Sequence, residues 1–170
     1  MTWSTVNFSR HKGKTLPQIL FSDPDWFFWA VEEDTFKDKG VLKSEAEDLL
    51  QKAKNIKIPN NEDGKQIVEY VIDPSRGKFA YFRVVPDCTP EHEGSSPTFF
   101  KKVIDMSVCR GRADYDKKGY KIFIECIKIE VFKNKDIRRL TKKRCEDFFD
   151  DPLNFCIPKA TPRPRKGFFL

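Results

Sequence analysis

Four polar side chains crowd one glycine near the start of the chain: Arg10, His11, Lys12 and Lys14 surround Gly13. A turn of this composition can bring cations and backbone N–H groups up to a phosphate, because glycine has no Cβ to hold the ligand away. A longer cationic series occupies the last third of the sequence, with Arg110, Arg112, Lys117, Lys118 and Lys121 followed by Arg138, Arg139, Lys142 and Lys143. Residues 138 and 142, like 139 and 143, are four apart, so a helix there sets the four cations on one side, away from Ile137 and Leu140. Residues 101–145 hold 15 Lys or Arg against 6 Asp or Glu, which concentrates the positive field of a chain whose net charge is +6. Clustered cations release counterions when they meet a polyanion, so the expected partner is DNA or RNA. An acidic protein surface and plain solvation are the competing explanations of the same charge.

Residue types suited to metal-dependent hydrolysis also occur in the chain. Nucleases that use Mg2+ hold it between carboxylates on neighbouring strands and position water with a lysine. Asp105 on an expected third strand, with Glu125 and Lys128 on a fourth, offers those residue types, but Glu-x-x-Lys puts the last two on opposite faces of a regular strand unless a bulge intervenes. His11 and His92 are the only histidines, and neither neighbours a cysteine nucleophile in sequence. The five cysteines, Cys88, Cys109, Cys126, Cys145 and Cys156, are odd in number and form no CxxC pair, which points to reduced thiols rather than disulfides or zinc. No phosphate-loop, dinucleotide or nucleophile-elbow string occurs. The sequence therefore assigns no catalytic residue, no metal and no cofactor.

The elements that must carry these residues follow from periodicity. Residues 3–8 alternate as a short strand, and Thr15 with Gln18 forms a capping box for a short helix. Asp23-Pro24-Asp25 starts a second helix near 24–33, and Ser44-Glu45-Ala46-Glu47 starts a third near 44–54. Residues 55–65 are a polar linker. Beyond it the period becomes two, with Val68, Tyr70 and Ile72 on one face of a strand, a turn at Asp73-Pro74-Ser75-Arg76-Gly77, and Phe79, Tyr81 and Val85 on one face of the return. Val103–Val108 reads as a third strand and Tyr120–Phe132 as a fourth. In the latter the inward positions switch parity at Cys126-Ile127, as at a bulge. A helix near 137–149 capped by Asp136 precedes a tail rich in proline. The expectation is an α+β fold with an antiparallel sheet of about four strands between residues 66 and 132.

Composition agrees with a folded chain: 170 residues, 39% hydrophobic with sixteen Phe and three Trp, leave neither disorder nor a membrane span as the class. No signal-peptide pattern opens the sequence, so a cytoplasmic location is expected.

Residues 6–30 carry one further signal. The string Val6-Asn7-Phe8-Ser9-Arg10-His11-Lys12-Gly13-Lys14-Thr15-Leu16, followed by Asp23-Pro24-Asp25-Trp26 and Trp29-Ala30, resembles the small C-terminal module of exodeoxyribonuclease X-like proteins. Ser9-Arg10 stands where that family usually has Gly-Lys. The resemblance implies a β-turn-helix accessory module of the kind found in nucleic-acid enzymes and phage proteins, contacting DNA. It does not imply exonuclease activity, because the acidic metal-binding motifs of the nuclease domain have no counterpart here. The organisation expected is a module at 1–54, a linker at 55–65, an antiparallel α+β domain at 66–157 and a basic tail at 158–170 ending in Phe168-Phe169-Leu170. The function expected is non-enzymatic nucleic-acid binding, phage-encoded and acting in the host cytoplasm, through the basic turn and the basic last third. An inhibitor docking on a host or defence complex is the first alternative, and a small Mg2+-dependent nuclease using Asp105 and Glu125 is the second.

Overall fold

Thr15 ends the N-terminal extended segment by donating its backbone N–H to Gln18 Oε1 at 3.0 Å, the reciprocal half of a capping box that contributes on the order of 1 kcal/mol to helix α1 (Leu16–Ser22). A computed structural model describes residues 2–90, 94–133 and 140–157. Pro24 lacks the N–H that would continue α1, so the chain restarts as α2 (Pro24–Glu32) with Pro24 in its first turn. Both helices are apolar on most sides and are buried accordingly. Helix α3 (Val41–Ala53) begins one turn earlier than Ser44. Gly40 takes φ +54° there, a turn that favours glycine, and Leu42 goes into the core. Glu45, within the string expected to start this helix, is buried and accepts from the Ser4 backbone N–H and hydroxyl, each at 3.0 Å.

The hairpin forms as expected from β1 (Gln66–Ile72) and β2 (Phe79–Pro86), paired antiparallel. Asp73 closes its turn by accepting from the Ser75 N–H and hydroxyl, with Gly77 at φ +64°. A bulge between Val71 and Ile72 shifts the register, so Phe82 joins Phe79 in the core and Tyr81 turns outward. Strand β3 is Thr98–Lys101, paired to the other edge of β1, giving a three-stranded sheet of order β2-β1-β3. It precedes the expected third strand. Within 103–108, Ile104 makes only a single bridge to Ile56, and the Asp105 carboxylate accepts from Ser107 N–H at 2.9 Å, closing a 3-10 turn over Met106–Val108.

The expected fourth strand is a helix, α4 (Lys117–Glu130). The apparent parity switch is helical periodicity: Tyr120, Phe123, Ile124 and Ile127 are buried at spacings of three and four. Asp116 caps it by accepting from Gly119 N–H at 2.9 Å, and a Cβ at 119 would run into that carboxylate. Phe123 of α4 packs on Phe79 and Phe82 of β2, while Tyr120 stacks on Phe28 of α2, so α4 couples the sheet to the N-terminal helices. Helix α5 (Lys142–Asp150) is capped by Thr141, whose hydroxyl accepts from Arg144 N–H at 3.3 Å. The start expected at Asp136 lies outside the described residues.

The fold is α+β, with five α-helices and one antiparallel sheet among the described residues. Part of the segment expected as a linker is core: Ile56 and Ile58 are buried, Ile56 bridging both Ile104 and Phe155. One hydrophobic cluster takes in side chains from both sides of it.

Candidate nucleic-acid interface

The basic turn is held by two backbone hydrogen bonds, from Val6 N–H to Lys14 O and from Gly13 N–H to Val6 O, both 2.8 Å, beside a bridge between Thr5 and Thr15. Gly13 sits at φ +85°, as the turn requires. Ser9 also takes a positive φ, +61°, and its hydroxyl accepts from His11 N–H at 3.2 Å. The local hydrogen bond supports a left-handed conformation that side chains other than glycine rarely adopt.

The turn is not uniformly wet. His11 is buried, its ring edge-on to Trp26 at 4.6 Å between centroids, with Nε2 3.0 Å from Asp23 Oδ2. Burial lowers its pKa below the ordinary 6.5, and the neighbouring Lys14 and Arg10 add to this, while Asp23 opposes it. Buried Nδ1 has no partner, which fits the neutral ring. Arg10 reaches the same Asp23 oxygen at 2.6 Å. Asp23 precedes α2 as its cap residue but gives its carboxylate to Arg10 and His11 rather than to the helix. The turn is thereby pinned against the junction of α1 and α2.

That junction faces α4 across a groove. One part, about 330 Å3, is lined by Arg10, His11, Lys14, Ser22, Asp23 and Lys117. A second, about 370 Å3, shares Ser22, Asp23 and Lys117 and adds Phe21, Pro24, Asp25, Tyr120, Lys121, Ile122, Ile124, Glu125 and Lys128. A third, about 150 Å3, runs on past Lys14, Ser22 and Lys128 towards Leu140 and Cys145. The groove's carboxylates are occupied: Asp23 by Arg10 and His11, Glu125 by Lys128 at 2.6 Å, and buried Asp25 by the Asp116 N–H at 3.2 Å. Lys14, Lys117 and Lys121 pair with no carboxylate among the described residues.

Of the cations singled out in the sequence, the structure gathers Arg10, His11, Lys14, Lys117 and Lys121. Lys12 and Lys118 are exposed beside them. Arg110 is turned inward, 2.8 Å from Glu32 and 3.8 Å from Asp25. Arg112 lies over the Phe99 ring at 4.9 Å. Lys142 and Lys143 pair along α5 with Glu146 and Asp147, at 3.9 and 2.6 Å. Arg138 and Arg139 lie outside the described residues.

The carboxylates considered for Mg2+ do not occupy neighbouring strands. Asp105 caps a 3-10 turn and contacts Lys101 at 2.5 Å, whereas Glu125 is on α4. Glu125 and Lys128, three apart on a helix, meet on one face. Among the described residues no group of three His, Cys, Asp or Glu could hold a metal ion, and no helix is long and apolar enough to cross a membrane.

The sequence offered Lys128 only as a partner of Glu125 at a metal site; its place in the groove, and the apolar lining from Phe21, Pro24, Ile122 and Ile124, were not read from it. Lys117, Lys121, Ile124 and Lys128 recur at helical spacing, a row visible only once the segment is taken as a helix. No family model, curated protein or solved structure matches the chain.

Proposed function

We propose that the protein binds nucleic acid, with backbone phosphates lying in the groove against Lys14, Lys117 and Lys121. The observation that carries this reading is the convergence, on one concave surface, of lysines from two distant parts of the sequence that pair with no carboxylate among the described residues. Cations already neutralised in the fold gain little from a polyanion, whereas Lys14, Lys117 and Lys121 release their solution counterions when phosphates arrive. The likeness of residues 6–30 to an accessory module of nucleic-acid enzymes supports the same reading, since those residues build one wall of the groove. No residue is assigned a bond-breaking role.

The test is retention of a labelled oligonucleotide across a salt series. Replacing Lys117 and Lys121 together by Gln should weaken binding and reduce the slope of log K against log salt by about 1.5, since each phosphate contact contributes roughly 0.7–0.9 to it. An unchanged slope in a folded double variant would exclude the groove as the contact surface. Absence of retention by the wild type would leave an acidic protein surface or plain solvation as the explanation of this charge.

A further inference from the structure

The two larger parts of the groove differ in chemistry. Around Arg10, Lys14 and Lys117 the walls are cationic. The adjoining 370 Å3 space instead has an apolar floor, made of Phe21, Pro24, Ile122 and Ile124, with Lys117 and Lys121 along its rim. Phosphates alone do not account for that floor.

We propose that the groove selects single-stranded nucleic acid, seating an unpaired base on the apolar floor while the flanking phosphates lie against Lys14, Lys117 and Lys121. The inference rests on the nucleic-acid reading above and deepens it. A duplex presents phosphates outward and keeps its bases stacked within, so it would cover the floor with charged or hydrated groups that gain nothing there. An unpaired base has an apolar face to bury and a polar edge, and the floor and rim supply both kinds of surface. The volume falls within the range of sites that enclose a small ligand group. The carboxylates that line it, Asp23, Asp25 and Glu125, already have partners in the fold, Arg10, Arg110 and Lys128 respectively. They do not add unpaired negative charge against the strand. Charge and apolar surface therefore alternate along the groove, as they do along a single strand.

The experiment compares three probes at one salt concentration by fluorescence anisotropy: a 15-nucleotide oligothymidylate, the same strand paired with its complement, and an abasic oligomer of equal length that keeps every phosphate. The oligothymidylate should bind about tenfold more tightly than either of the others. Ile122→Gln, at a half-buried position on α4, should reduce that preference to within about threefold while leaving duplex binding unchanged. The abasic comparison needs no variant, so it decides the matter even if Ile122→Gln does not fold. Equal binding of all three probes overturns base seating and leaves phosphate binding intact. A preference for the single strand that survives in folded Ile122→Gln overturns this floor as the seat. Failure of all three to bind overturns the nucleic-acid reading itself.

Discussion

Arg110 and Lys117 are seven residues apart in the same basic stretch, yet the fold puts them to opposite uses. Arg110 is largely buried and shared between Glu32 at 2.8 Å and Asp25 at 3.8 Å. Lys117 opens helix α4 and lines the groove, with no carboxylate partner among the described residues. A count of cations treats them alike. What separates them is whether the chain supplies the counterion: where it does, the cation holds the fold together, and where it does not, the charge remains available to a ligand.

The sharpest way to break this contrast is to remove Arg110. Arg110→Met keeps most of the side-chain volume but leaves Asp25, which is buried, and Glu32 without their cation. Stripping one partner from a largely buried charged cluster costs about 3 kcal/mol, and in a chain of this size that lowers the melting temperature by roughly 6–12 °C. Thermal unfolding should show the loss, while oligonucleotide affinity measured well below the transition stays at the wild-type level. A stable Arg110→Met with weakened binding would invert the assignment.

His11 provides a smaller and more specific test, since it lies between the two kinds of region. Its pKa is lowered in the fold, so the unfolded chain takes up the proton more readily. Stability therefore falls as pH drops below the unfolded value of about 6.5. His11→Gln loses the ring contact with Trp26, worth about 0.5–1.5 kcal/mol, but carries no titrating group. The difference in urea-unfolding free energy between wild type and variant should accordingly be largest near pH 7.5 and shrink towards pH 5. A difference that widens on acidification would mean that the folded state favours the imidazolium, through Asp23, over the neutral ring.

Local chemistry was legible where one residue type had one use. Asp23-Pro24 marks a helix junction because proline cannot donate the next hydrogen bond, and Asp73 to Gly77 marks a hairpin turn because each residue there suits it. The α+β class follows from those elements. Reading failed over 117–130, where Ile122, Ile124, Ile127 and Ile129 favour a strand by propensity, while the burial of Tyr120, Phe123, Ile124 and Ile127 obeys the helical period. The same error hid the candidate site, because Lys117, Lys121 and Lys128 share a face only on a helix. Arg10 and Lys14 were identified from sequence, but that they meet α4 depends on tertiary packing. No spacing along the chain records it.

The smallest effect is expected at the most conspicuous charge cluster. Lys142 and Lys143 stand four residues before Glu146 and Asp147 on α5, with both lysines largely exposed. Exposed pairs at this spacing contribute about 0.3–0.5 kcal/mol each. Removing the positive member would also leave an unpaired carboxylate near any approaching phosphate. Even so, Lys142→Gln with Lys143→Gln should change stability by less than about 1 kcal/mol and the salt slope of oligonucleotide binding by much less than the Lys117 and Lys121 pair does. The comparison is direct, because each double variant removes two positive charges and the same net charge from the protein. If affinity followed net charge alone, the two variants would bind alike. If it follows the cations that lack counterions in the fold, only the groove variant should lose phosphate contacts. Equal losses, measured side by side over one salt series, would show that the long-range field of the molecule, and not the groove, governs binding.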